Sequence, residues 1–184
     1  MFIIGLAFFS CASSSPAPQK AGNGLCEYSE TMSFELLNER GMVLKREYYF
    51  YTGGAHGIGA VKYYVLDLEG SRVLKFDELF REDTQERLQG IVMDGLRRYT
   101  NSLDGYGIGE GEPLSQGIFY TDNPGLTDNF FVGKEGLGLN WAVYDIAPYF
   151  AGSIEIIVPW RDIRPLLQNE FMELLEKFGI PMFM

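Results

Sequence analysis

The sequence has almost nothing with which to hold a metal ion. It contains one histidine, His56, and two cysteines, Cys11 and Cys26, in 184 residues. A zinc site needs Cys and His ligands at short spacings, and this set is too small to build one. Hydrolytic zinc chemistry lacks its ligands for the same reason, and no cofactor is expected. Basic residues are also scarce, with 15 Lys and Arg against 25 Asp and Glu and a formal charge of −10. Nucleic-acid binding relies on Lys and Arg to neutralise phosphates, so that class of partner is excluded. A cationic partner is compatible with the charge, which also serves solubility.

No stretch reaches the roughly 20 apolar residues that cross a bilayer. The nearest is the N-terminus, MFIIGLAFFSC. Residues 1–10 suit the apolar region of a signal peptide. A small residue immediately before Cys11 resembles a bacterial lipobox, in which that cysteine becomes the lipidated first residue. An ordinary signal peptide and a buried apolar start are the alternatives. Residues 11–24 are rich in Ser, Pro, Ala and Gly and read as a tether, with a reach of roughly 20 Å by flexible-chain scaling. With Cys11 lipidated, Cys26 stands single. Left unprocessed, the two could bridge in an oxidising compartment.

Residues 25–184 read as one domain. Apolar residues make up 46% and aromatics 15%, enough for a real core. Residues 30–37, 42–51, 60–68 and 73–76 carry the aromatic and branched composition of strands, separated by Asn/Gly and Glu-Gly-Ser turns. A helix is expected over 84–99, capped by Asp83 with Glu86 three residues on. Its stripe of Leu88, Ile91, Val92, Leu96 and Tyr99 faces a core, and Gly95 on that stripe marks close packing. A hairpin should turn at Lys134-Glu135-Gly136, IEIIV should form another strand, and a final helix should run from 161 to 178. Two main helices on a mainly antiparallel sheet make an α+β fold.

The only histidine lies in YTGGAHG, residues 51–57. Gly54 and Gly59 have the spacing of a phosphate loop, but Ala60-Val61 stand where Lys-Ser/Thr is required. A triad needs a nucleophile and an orienting carboxylate, and no serine sits in a G-x-S-x-G turn. His56 therefore reads as structural, a hydrogen bond within a glycine-rich hairpin connection. The acidic, glycine-rich residues 104–117 are long enough to be functional or mobile. Carboxylate pairs such as Asp145 with Glu155, or Glu110 with Glu112, are not positioned by spacing alone. The aromatic residues Tyr106, Tyr144, Tyr149, Phe150, Trp141 and Trp160 could stack on sugars or anchor a protein interface, and Tyr106, Tyr144, Tyr149 and Phe150, together with His56, are the candidate binding surface.

Two segments, residues 48–80 and 129–159, resemble the RsiV-type extracellular domain, which is also found beside the catalytic domain of some peptidoglycan deacetylases. The resemblance covers roughly residues 28–167. It is carried by GGAH, the Tyr-Tyr strand, the Asp-Glu-Leu-Phe helix start, IAPY and the Ala151-Gly152 pair. It implies an α+β ectodomain at the cell envelope, which in RsiV itself binds lysozyme. Since neither an anti-sigma segment nor a deacetylase domain is seen, the expectation is a stand-alone, lipid-anchored envelope domain. It would be non-catalytic and bind a lysozyme-like cationic protein or a cell-wall glycan, reaching the membrane only through its anchor. A peptidoglycan-modifying enzyme and a structural partner in an envelope complex are the alternatives.

Overall fold

The computed structural model describes residues 26–182. The expected signal peptide, the lipidation site Cys11 and the tether lie outside them. Strands β1 (Glu27–Leu36), β2 (Gly41–Tyr51), β3 (Ile58–Asp67) and β4 (Arg72–Val73) form an antiparallel meander in chain order. Helix α1 (Gln85–Asn101) follows. Strands β5 (Phe130–Val132), β6 (Gly136–Trp141) and β7 (Ile154–Pro159) then form a second antiparallel sheet. Helices α2 (Trp160–Ile163) and α3 (Asn169–Lys177) close the fold. This is an α+β domain, as the alternation of turns and aromatic strands predicts. It holds two sheets rather than one continuous sheet.

Helix α1 buries Leu88, Val92 and Leu96 against the second sheet. A Cβ on Gly95 would meet the terminal methyl of Ile156 in β7 at 2.8 Å, so the helix packs closely on that strand at the glycine. The expected Asp83 capping box does not form. Residues Glu82–Thr84 make a 3₁₀ turn instead, and Asp83 pairs with Arg81 at 3.5 Å. The Thr84 hydroxyl donates to the Arg81 carbonyl at 2.6 Å and tightens that turn.

The expected long C-terminal helix is also broken. Pro165 sits in a 3₁₀ turn (Arg164–Leu166), where it removes a backbone donor and its ring crowds the preceding turn. The chain leaves the helix extended at Leu167, bridges to Phe80, and the Gln168 amide donates to the Leu79 carbonyl at 2.9 Å. Only then does α3 begin, burying Phe171 and Leu175.

What joins the two sheets is a side chain. Asn129, just before β5, accepts from the Tyr63 amide at 2.8 Å and donates to the Val61 carbonyl at 2.7 Å. Its amide thus stands in for a strand residue along the edge of β3. Asn129 also donates to Asn140 Oδ1 at 3.1 Å, and Asn140 donates to Glu155 at 3.2 Å. The Tyr63 hydroxyl completes the chain by donating to Glu155 at 2.8 Å. No buried side-chain polar atom among the described residues lacks a partner.

Burial, followed by the hydrogen bond to Glu155, raises the Tyr63 phenol above its ordinary value. A phenol whose folded pKa exceeds its unfolded one stabilises the fold below the unfolded pKa of about 10 and loses that contribution as pH climbs through the folded value. Thermal melts from pH 9 to 11 should therefore fall more steeply for the wild type than for Tyr63→Phe. Parallel curves would remove the Tyr63 hydroxyl, though not its backbone N–H, from the seam.

Candidate functional site

The glycine-rich β2–β3 connection is built by backbone demands. Gly53 and Gly54 have φ of 99° and 114°, which few other residues adopt, and the Tyr51 hydroxyl donates to the Gly54 carbonyl at 2.8 Å. A Cβ on Gly57 would fall 2.3 Å from the Tyr49 ring, so only glycine lets the turn lie on that ring. The turn is tied across the fold as well, since the Tyr149 hydroxyl donates to the Gly57 carbonyl at 3.1 Å.

His56 does not hydrogen-bond within its own hairpin. It is exposed and stacks on Tyr149, with ring centroids 3.6 Å apart and 19° between planes. The Tyr144 hydroxyl lies 3.4 Å from His56 Nε2, and the Tyr144 and Tyr149 rings are 5.7 Å apart. Tyr106 stacks on Phe150 at 5.5 Å. The five candidate residues thus form two exposed ring clusters, His56 with Tyr144 and Tyr149 and Tyr106 with Phe150, adjoining through the chain bond between Tyr149 and Phe150 and together making an aromatic ledge. Phe150 is the most exposed of its Tyr and Phe rings at 62%.

The segment that presents the ledge is strained. Tyr144 has φ of 73°, a left-handed backbone that a bulky residue avoids. The Asp145 carboxylate holds this turn by accepting from the Ala142 amide at 2.8 Å. Buried Ile146 and Ala147 anchor the segment, and Gly152 turns it at φ 67°. Strain persists only where the surroundings over-determine it, and it clusters at sites that bind or switch.

The other chemical candidates have structural partners. Glu155 accepts from Tyr63 and Asn140, and Asp145 caps its own turn. Residues 104–117 are pinned to α1: Asn101 accepts from the Ile108 amide at 2.8 Å, and Arg97 donates to the Gly109 carbonyl at 3.0 Å. Glu112 accepts from the Gly109 amide at 2.6 Å, so its carboxylate braces the loop. Trp141 and Trp160 are core residues whose indoles donate to the Gly125 and Gly133 carbonyls at 3.0 and 2.8 Å. Among the described residues, no three His, Cys, Asp or Glu converge as a metal set would.

A second feature escaped the sequence reading. Even-numbered residues of β1–β3 share one face of the first sheet, and that face is open. It exposes Tyr28, Met32, Phe34, Leu36 and Phe50. Where it meets residues 127–129 and 142–145, it forms a groove of about 500 Å³. Arg46 in this groove donates to both Glu30 oxygens, at 2.7 and 3.1 Å, and its guanidinium lies 5.5 Å from the centre of the Tyr48 ring. The hydrogen bonds from Arg46, then from Tyr28, hold Glu30 below its ordinary pKa, and Glu30 in turn raises the Tyr28 phenol. The signal available in the sequence was that both phases of β2 and β3 carry bulky residues, whereas a one-sided strand alternates bulky with small polar.

The same architecture is found in known proteins. A crystal structure of a DUF3298 family member from Bacteroides fragilis superposes with a TM-score of 0.66 at 26% identity, over 83% of this chain and 57% of that one. A DUF3298 family protein from Pseudomonas aeruginosa shares the fold with a TM-score of 0.54 at 16% identity, over 77% of this chain and 63% of that one. The chain thus spans about three fifths of the length of these two structures. No curated protein matches it. Residues 77–161 match the family described as Protein of unknown function (DUF3298).

Proposed function

We propose that this chain is a non-catalytic, ligand-binding domain of the bacterial cell envelope, carried on a lipid at Cys11, whose aromatic ledge takes a cationic protein of the lysozyme type. One observation carries the reading. Five exposed rings from three separate stretches of chain gather into two neighbouring clusters, His56 with Tyr144 and Tyr149 and Tyr106 with Phe150, and Tyr144 is held there on a left-handed backbone. Tyr-rich, pre-organised surfaces supply contact area at little entropic loss on binding, and such aromatics dominate interface energetics.

Charge supports the choice of partner. A formal charge of −10 steers a cationic protein toward the domain, and that attraction weakens with salt. The resemblance of residues 48–80 and 129–159 to the RsiV-type ectodomain supplies the lysozyme class. The lipobox-like Ser10-Cys11 supplies the anchor.

Titration of the purified protein with a lysozyme should give saturable binding at micromolar concentration, weaker at moderate than at low salt. Phe150→Ala should reduce affinity about tenfold or more, as truncated interface anchors do at 1.4 kcal/mol or above. The absence of binding at both salt concentrations, or a Phe150→Ala variant that binds like the wild type, would contradict the proposal. Anchoring is tested separately by intact mass of the mature protein from bacterial membranes. It should begin at an acyl-bearing Cys11, and an unmodified N-terminus elsewhere would rule out the anchor.

A further inference from the structure

The open-face groove is a second site, and its chemistry differs from that of the ledge. It exists because of Ala60. In the β2–β3 register Ala60 lies opposite Tyr48, with Ile58 opposite Phe50 and Lys62 opposite Arg46 as its neighbours. A side chain that ends at Cβ leaves a hollow among long ones. Rings from Tyr48, Phe50 and Tyr64 line the resulting space of about 500 Å³, which falls within the range of small-ligand clefts.

The far wall of the groove is polar. Lys62 Nζ lies 3.2 Å from Asp128 Oδ1. Behind that pair, Asn129 and Asn140 also line the groove, each almost fully buried and held by the seam described above. The wall therefore offers an exposed ion pair, whose remaining donors and acceptors face solvent, in front of two amides fixed by their own hydrogen bonds. Phosphate-bearing ligands are disfavoured, because the groove is lined by the carboxylates of Asp128 and Asp145 while Lys62 and Arg46 are already paired. A metal ion is disfavoured by those two cations. A purely apolar anchor would strip water from Lys62 and Asp128 without replacing its hydrogen bonds.

One chemistry fits both walls. A pyranose ring presents a flat C–H face to an aromatic ring and a rim of hydroxyls to charged and amide groups. We infer that the groove floored by Ala60, between Tyr48 and Phe50 on one side and Lys62–Asp128 on the other, binds an oligosaccharide chain. The inference concerns a surface other than the ledge and does not depend on the protein partner proposed for it.

Amide chemical-shift titrations of the purified protein with N-acetylglucosamine tetramer and with cellotetraose test this directly. At least one should give saturable shifts at millimolar concentration or below, centred on β2, β3 and residues 127–129. Ala60→Trp, which fills the hollow, should abolish them. Phe50→Ala, at a position already 38% exposed and so of little weight in folding, should weaken binding about tenfold by loss of one stacking surface. Circular dichroism and melting temperature confirm that both variants are folded. No shift with either sugar, shifts confined to the ledge, or sugar binding that persists in folded Ala60→Trp would overturn the proposal.

Discussion

The fold depends on one side-chain amide. β3 pairs with β2 along its whole length, but β4 covers only Leu66 and Asp67 on the other edge. Along the rest of that edge, the part-buried Val61 and Tyr63 present backbone groups that no neighbouring strand pairs. Asn129 satisfies both with one amide, matching donor to carbonyl and acceptor to N–H. A group of that kind left unpaired costs about 1–3 kcal/mol, and truncating Asn129 would strand at least two of them. The amide therefore fixes the first sheet relative to β5 by hydrogen-bond geometry as well as by apolar contact, and apolar contact alone tolerates sliding.

Both candidate sites inherit their geometry from this seam. The groove has the first sheet as one wall and residues 127–129 as the other, so its width is set where Asn129 clamps β3. The ledge takes His56 from the β2–β3 connection and its remaining rings from segments that follow α1. His56 can stack on Tyr149 only if the meander is held at one distance from the 142–152 segment. The bond from the Tyr149 hydroxyl to the Gly57 carbonyl closes that contact at its outer end. Asn129 closes it at its inner end. Between them the polar chain through Asn140, Glu155 and Tyr63 leaves no buried group unpaired, which is the condition under which a polar network rigidifies a core.

Local chemistry made much of this legible in the sequence. The β1–β2 and β5–β6 turns, the α1 stripe and the tight approach at Gly95 follow from residue type and spacing. The five ledge residues could be named because Tyr, Phe and His rings in turn-rich segments can stack on a ligand or anchor an interface, although nothing in one sequence says that residue 56 meets residue 149. Two local rules were overridden by other local chemistry. Asp83 looks like a helix cap but pairs with Arg81, and the apolar stripe from 161 to 178 looks continuous although Pro165 breaks it. The groove was missed for a different reason. It arises from cross-strand register, which places small Ala60 opposite Tyr48, and register is not written in either strand alone. Asn129 was unreadable for the same cause, because an Asn in a turn-rich stretch normally serves its own turn.

Native-state hydrogen exchange of the Tyr63 amide tests the seam most directly. Tyr63 N–H has a side-chain oxygen as its acceptor. If Asn129 holds the two sheets as one unit, this amide exchanges only through global unfolding, with the same free energy as the core amides of β6. Exchange of Tyr63 at the rate of a fraying edge strand, while β6 remains protected, would show that the sheets open independently and would contradict the account.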